Sequence, residues 1–268
     1  MDNINLELPA KPDILAKLTA QMGNDEADFR EVSDLIVSDI GLAAAVVKTA
    51  NAPYFGVRAR ITSIQQAVNY LGLTAVFGLV LGSLLRRSFP ANDPLMAQLW
   101  DDSARNAAAM SRLALGLALG SADQAYTCGL FLNCGSALML PHTEGYRGTF
   151  AHIRHMANPL PFELDAHGIN HSDLGEALVR KWGLPDTVAQ TVKHHHSVAR
   201  LAQLGLNPQA NSLIAASVIA ASALADIAAD DKSDWDNELS LAGEVLGLAP
   251  AAVQGWVDKL TASFCAEA

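Results

Sequence analysis

Apolar residues recur at intervals of three and four along most of this chain, the spacing that places side chains on one face of an α-helix. The clearest stripe consists of Leu174, Leu178, Val179 and Trp182, and it predicts a helix from about Ser172 to Trp182. No segment alternates between apolar and polar residues over the length of a strand. The pattern therefore predicts an all-α protein built as a multi-helical bundle.

Residues that favour helix starts divide this pattern into separate helices. Side chains of Ser, Thr and Asp accept hydrogen bonds from the free N–H groups of a first turn. Pro also suits this turn, because it has no N–H group that would need a partner. The helix that follows Ser121 is expected to contain Gly129 to Leu140, and a further helix should span about Glu144 to Met156. Other helices are predicted to begin near Pro12, Asp39, Ser63, Asp93, Pro185, Pro208 and Pro250.

The loop from Ala50 to Gly56 interrupts the helices of the first part of the chain. Pro53 restrains its backbone, and Gly56 allows a positive φ that other residues resist. Tyr54 and Phe55 are interpreted either as core anchors or as a surface patch, and their size favours the core.

The segment from Phe89 to Pro94, FPANDP, is the strongest break in the helical pattern. It predicts a boundary between an N-terminal helical subdomain, residues 1–90, and a C-terminal one, residues 91–268. The two are expected to form one compact unit.

Composition and charge narrow the function classes. Half of the 268 residues are hydrophobic but only 6% are aromatic, so Leu, Val, Ile and Ala must build the core. The formal net charge of −10 disfavours binding to nucleic acid or to an anionic membrane.

The apolar segment from Leu73 to Leu85 is too short to cross a bilayer. No signal peptide is recognisable at the N-terminus, so a cytoplasmic location is expected.

Histidines are concentrated in one stretch of the chain. Five of the eight lie between Asp165 and Ser197, namely His167, His171 and the run His194–His196. The run should end a helix that follows the one starting near His171, so the two ends meet if these helices pack antiparallel. Histidine is the commonest metal ligand, which favours a hydrolase centre. Alternatively, these histidines are capping and solvated groups at helix ends.

Three cysteines, Cys128, Cys134 and Cys265, add little candidate chemistry. None forms a CxxC pair, and small buried thiols in a reducing compartment are the simplest interpretation. Cys134 with His171 is the candidate pair for a Cys–His hydrolase. Its apolar surroundings provide no cation that would stabilise a thiolate.

Several segments in a fixed order resemble one known family. They include VSDIGLAAAVVKTANAPYFG, ITSIQQAVNYLGL, LWDDSARNAAAMSRLA, YTCGLFLNCGSALM and HSDLGEALVRKWGLP, followed by the HHH run. Together they cover about Leu6 to Leu201 and resemble the HDOD domain, the "HD-related output domain" of bacterial signalling proteins. The resemblance implies a helical fold related to the HD superfamily of metal-dependent phosphohydrolases.

The same resemblance indicates a degenerate site. Active HD relatives carry a histidine at the position of Asp102, a His-Asp pair at Leu132-Asn133 and a lysine at Ser136. His171 and the run His194–His196 match histidines of active relatives. The resemblance therefore implies no catalytic residues, and a residual cleft at Asp102, Asn133, His171, His194, His195 and His196. No cofactor is expected, apart from a weakly held divalent metal at Asp102, His171 and His195.

Three hypotheses about function follow from these observations. The first is a non-enzymatic regulatory module that binds a protein partner or a small ligand. The second is a metal-dependent phosphohydrolase acting on nucleotides. The third is a nucleotide-sensing domain in which the former active-site cleft serves as the binding pocket. Whether the chain forms a homodimer stays open.

Overall fold

The computed structural model describes residues 7–22, 29–52, 55–57, 60–89, 92–228 and 234–266. Of these residues 78% are helical and none is in a strand, which confirms the all-α prediction. The chain divides into two compact units, one formed by Pro9–Pro90 and the other by Met1–Leu8 with Ala91–Ala268.

The described part of the first unit contains five helices. Two of the predicted caps form there: Asp39 accepts from the N–H of Leu42, and Ser63 accepts from the N–H of Gln66. Both caps satisfy a first-turn donor that has no partner inside its helix. The helices are α1 (Asp13–Met22), α2 (Phe29–Val37), α3 (Ile40–Ala50), α4 (Ile64–Leu71) and α5 (Leu73–Arg87).

The loop after α3 is held by the side chain of Asn51. Its amide donates to the carbonyls of Val47 and Ile61 at 2.8 Å, and its oxygen accepts from the N–H of Ile61 at 2.8 Å. Gly56 has the predicted positive φ, 58°. Phe55 is half-buried, whereas Pro53 and Tyr54 lie outside the described residues.

The second unit surrounds one long apolar helix, α14, which packs against α6, α12, α15 and α16. By length and composition α14 could cross a membrane, but 72% of its most apolar window is buried inside the protein, as expected for a core helix. The helices are α6 (Pro94–Gly116), α7 (Ala122–Phe131), α8 (Cys134–His142), α9 (Tyr146–Ile153), α10 (Leu160–His167), α11 (His171–Trp182), α12 (Asp186–His194), α13 (Leu201–Leu204), α14 (Pro208–Ala228), α15 (Trp235–Leu246) and α16 (Pro250–Ala266).

The prediction of one helix from Ser121 through Leu140 is wrong. The chain turns at Leu132-Asn133, between α7 and α8, and Asn133 leaves helical geometry with φ −105° and ψ 17°. The apolar run is continuous across this turn because both helices are buried, so periodicity alone does not reveal the break. Helices α10 and α15 were also not predicted from the sequence.

Candidate functional site

All but one of the predicted site residues meet at a cavity of about 50 Å³ in the second unit. Asp102, Asn133, His171, His195 and His196 all line it. A water needs on the order of 10–15 Å³ of such space, so the cavity can hold an ion with a few waters.

The two histidine-bearing helix ends meet as the antiparallel arrangement predicted. Helix α11 begins at His171, and α12 ends at His194, so the following residues reach back to the start of α11. The Nε2 atoms of His171 and His195 lie 3.3 Å apart. One ring nitrogen from each of His171, His195 and His196 lies within 4.8 Å of the other two. His194 does not belong to this group and does not line the cavity.

A close helix crossing fixes the position of His171. Gly135 in α8 faces the first residue of α11 so closely that a Cβ atom there would lie 1.9 Å from the carbonyl oxygen of His171. Only glycine allows backbones to approach to this distance. Trp182, at the far end of α11, is completely buried against Phe131 in an edge-to-face contact.

Each of the three clustered imidazoles directs its Nδ1 atom to an oxygen. His171 Nδ1 lies 2.7 Å from Glu163 Oε2, His195 Nδ1 lies 2.7 Å from the Val192 carbonyl, and His196 Nδ1 lies 2.9 Å from the Ala157 carbonyl. These oxygens are acceptors, so each Nδ1 must carry the ring proton. In a neutral imidazole the lone pair is then on Nε2.

Glu163, on the unpredicted helix α10, is completely buried and holds His171 in place. Its Oε2 accepts from both the backbone N–H and the Nδ1–H of His171, and its Oε1 accepts from the hydroxyl of Tyr146 at 2.6 Å. Burial would raise the pKa of Glu163. The charge of His171 and these hydrogen bonds outweigh it, so the pKa lies below its ordinary value and Glu163 is ionised.

Asp102 lines the same cavity, but its carboxylate is already paired. Oδ2 accepts from Arg154 Nε at 2.7 Å and lies 3.6 Å from His155 Nε2. Burial opposes ionisation of Asp102, yet hydrogen bonds from His155 and Arg154 lower its pKa overall. Arg154 also donates to Gln98 at 2.9 Å. Asp102 is therefore an ionised group whose charge is compensated inside the protein.

The structure does not support the Cys134–His171 pair as an activated nucleophile. Cys134 is completely buried, and burial raises the pKa of its thiol. Its Sγ lies 3.9 Å from the carbonyl of Gly175. A thiol with a raised pKa remains protonated and is a poor nucleophile.

Several important residues were missed in the sequence. Glu163, Tyr146, Arg154 and His155 were not singled out, and each acts by contacting a residue that was. Their signal was weak because each lies outside the helix that carries the residue it contacts. Only Arg154-His155, adjacent polar residues after an amphipathic segment, offered a hint.

Comparison with known proteins identifies the fold. The family model of the HDOD domain matches residues 8–198. An uncharacterized protein of Treponema pallidum (strain Nichols) is 28% identical over 199 residues, which are 72% of this chain and 38% of that protein. This chain thus spans well under half of that relative.

Solved structures with the same fold share little sequence with the chain. A Geobacter sulfurreducens HDOD domain protein of unknown function has a TM-score of 0.74 at 20% identity, covering 96% of this chain and 92% of that one. A proposed phosphohydrolase from Shewanella amazonensis SB2B has a TM-score of 0.73 at 20% identity, with 94% and 90% coverage. A proposed signal transduction protein from Marinobacter aquaeolei VT8 reaches 0.72 at 20% identity, with 95% and 57% coverage. At this identity the likeness concerns the fold alone.

Proposed function

Because the chain belongs to the HDOD domain family, we propose that it is a non-catalytic regulatory module of bacterial signal transduction that binds a protein partner or a small ligand. One observation carries the proposal. Leu132 and Asn133 line the cavity at the positions where the resemblance places the His-Asp pair of active relatives. Leucine has no ligand atom, and a neutral amide supplies no charge for bridging two metal ions.

The remaining carboxylates do not replace the missing pair. Asp102 is paired with Arg154, and Glu163 accepts hydrogen bonds from Tyr146 and His171. Burial raises the pKa of Glu238, a further carboxylate that lines the cavity. Two divalent ions a few ångströms apart repel each other strongly unless a carboxylate lies between them. A two-metal phosphohydrolase centre is therefore disfavoured.

A nucleotide ligand is also disfavoured at this cavity. Phosphate groups are bound by donors, above all by arginine and backbone N–H groups. The Nδ1–H donors of the three clustered imidazoles already bind Glu163, Val192 and Ala157. Arg154, the one arginine among the described residues that line the cavity, already donates to Asp102 and Gln98. These contacts favour signalling through a protein partner over binding of a nucleotide.

The second candidate function is a metal-dependent phosphohydrolase. The observation that favours it is the convergence of the ring nitrogens of His171, His195 and His196, because three imidazoles can hold a catalytic metal with an open coordination position.

An activity assay separates the two functions. The purified, tag-free chain is incubated with nucleotides or cyclic dinucleotides in the presence of Mn²⁺, Mg²⁺ or Zn²⁺, and product is compared with a blank that contains metal alone. We expect no turnover above the blank. Turnover that disappears in a folded His171→Ala variant would replace the regulatory proposal with the phosphohydrolase.

A further inference from the structure

Each ring in the cluster of His171, His195 and His196 turns its Nδ1 atom to an oxygen outside the cluster. Every Nδ1 proton is used outside the cluster, by Glu163, Val192 and Ala157. Among the described side chains, the Nε2 atoms of His171 and His195 have only each other as partner, at 3.3 Å. Lone pairs that face each other in a buried space repel unless a positively charged species lies between them.

The spacing of the two closest nitrogens matches a metal site. Ligands at the usual Zn–N distance of about 2.0–2.1 Å and with a tetrahedral angle lie about 3.3–3.4 Å apart. The observed separation of His171 Nε2 and His195 Nε2 is 3.3 Å. A shared proton would also suit this distance, but it would leave the lone pair of His196 unused. A metal ion would engage one nitrogen of each ring once the His196 ring moves closer to the other two, since the three ligand atoms lie within 4.8 Å of one another.

The surroundings of the cluster also suit a cation. Ionised Glu163 lies directly behind His171, the arrangement in which a carboxylate fixes the tautomer of a metal-binding histidine and increases its basicity. On another wall, Asn106 is 3% exposed and its buried Oδ1 has no hydrogen-bond partner among the described residues. An unpaired buried acceptor indicates a missing donor, such as a water molecule.

Asp102 does not belong to the ligand group. Its carboxylate is neutralised by Arg154 at 2.7 Å, and it is absent from the described group of converging ligand atoms. The trio suggested by the sequence, Asp102 with His171 and His195, therefore differs from the trio that lies together.

We propose that His171, His195 and His196 bind one divalent cation of the zinc class through their Nε2 atoms. Imidazole nitrogens suit Zn²⁺ and its late first-row neighbours, whereas Mg²⁺ prefers oxygen ligands. One ion requires no bridging carboxylate, so the site is compatible with Leu132 and Asn133. The inference goes beyond the proposed function, since a regulatory module can bind its partner with or without a metal.

The test measures bound metal directly. Tag-free protein is stripped with a chelator, dialysed against Zn²⁺ or Co²⁺, and analysed for metal content and for its thermal unfolding midpoint. We expect one ion per chain and a midpoint that rises with metal concentration, because the ion binds the folded state. His196→Gln keeps a donor for the Ala157 carbonyl but removes the ring, and should lower affinity at least about tenfold.

Two variants serve as matched controls. His194→Ala removes a histidine of the same run that lies outside the cluster, and Asp102→Asn removes the alternative ligand. Both should retain one ion per chain. Unreduced binding in folded His196→Gln, or loss of binding in folded Asp102→Asn, would overturn the assignment.

The visible spectrum of the Co²⁺ form keeps the proposal testable if a variant fails to fold. Intense d–d bands of four-coordinate cobalt in the unmodified chain support the site, and weak six-coordinate bands or no bound cobalt overturn it. The result is independent of the proposed function. Metal binding without turnover supports both the metal site and the regulatory role. Metal binding with turnover overturns only the regulatory role, and absence of metal binding overturns only the metal site.

Discussion

Single residues of the cavity show how burial controls protonation. Burial, followed by the repulsion that a protonated His195 would meet from protonated His196 and His171, holds the pKa of His195 well below its ordinary value. Burial, followed by the charge of His171, lowers the pKa of His196 to about 3. Both rings are therefore neutral in the folded, metal-free protein at neutral pH, which is the form that can donate a lone pair.

This neutrality predicts how stability depends on pH. In the unfolded chain both histidines protonate near pH 6.5, whereas in the folded chain they do so only at much lower pH. Between these values the unfolded state binds more protons, so stability is fully present above about pH 6.5 and decreases as pH falls. Denaturant unfolding of the chelator-treated protein from pH 7.5 to about pH 4.5 should show this decrease.

A variant isolates the contribution of the cluster. His196→Gln removes one titrating ring, so its free energy of unfolding should decrease less steeply over the same pH range. His142→Gln replaces an exposed histidine and serves as the control. A pH slope in His196→Gln equal to that of the unmodified protein would show that His196 does not titrate as described.

Gly56 is a second residue whose role can be measured. Its φ of 58° lies in the left-handed region, and no atom of the described residues lies within 4 Å of the position that an added Cβ would take, so strain and not collision decides the cost of substitution. We expect Gly56→Val to reduce the free energy of unfolding by about 1–3 kcal/mol. Gly56→Asn, which tolerates this conformation, should cost clearly less. Equal stability of all three proteins by denaturant titration would contradict this account.

Between elements, the crossing of α8 and α11 sets the geometry of the site. A Cβ atom on Gly135 would collide with the His171 backbone carbonyl at 1.9 Å, and a backbone cannot yield as a flexible side chain can. Gly135→Ala should therefore lower the free energy of unfolding by about 1–3 kcal/mol or more, measured by denaturant titration. It should also displace the start of α11, which carries His171.

The chain offers a matched control for this substitution. Gly255 lies exposed within α16, with no atom of the described residues within 4 Å of an added Cβ. Gly255→Ala should stabilise the protein by about 0.5–1 kcal/mol, because alanine loses less conformational entropy in a helix. If Gly135→Ala is as stable as Gly255→Ala, the helices do not approach as closely as described.

For the whole molecule, the helix content predicts the circular dichroism spectrum. With 78% of the described residues helical and none in a strand, the far-ultraviolet spectrum should be that of an almost purely helical protein. A strand content near the average of about 20–25% for globular proteins would contradict the fold. The partner, the cytoplasmic location and the association of residues 1–90 with residues 91–268 as one unit remain predictions.

The sequence by itself determined the features that depend on neighbouring residues. Helix caps at Asp39, Ser63, Asp93 and Ser121 could be predicted because a cap forms within three residues of its partner. The apolar stripe of α11 placed His171 at one helix start. The family resemblance then supplied the fold and the degenerate positions at Leu132 and Asn133.

Only the tertiary structure decided which polar side chains act together. Glu163 supports His171 from α10, and Arg154 neutralises Asp102 across 52 positions of the chain. No local pattern encodes such contacts, because the partners come from elements whose packing depends on the entire core. The same holds for the tautomers of the three histidines, since each ring is oriented by an oxygen that the fold brings to its Nδ1 atom.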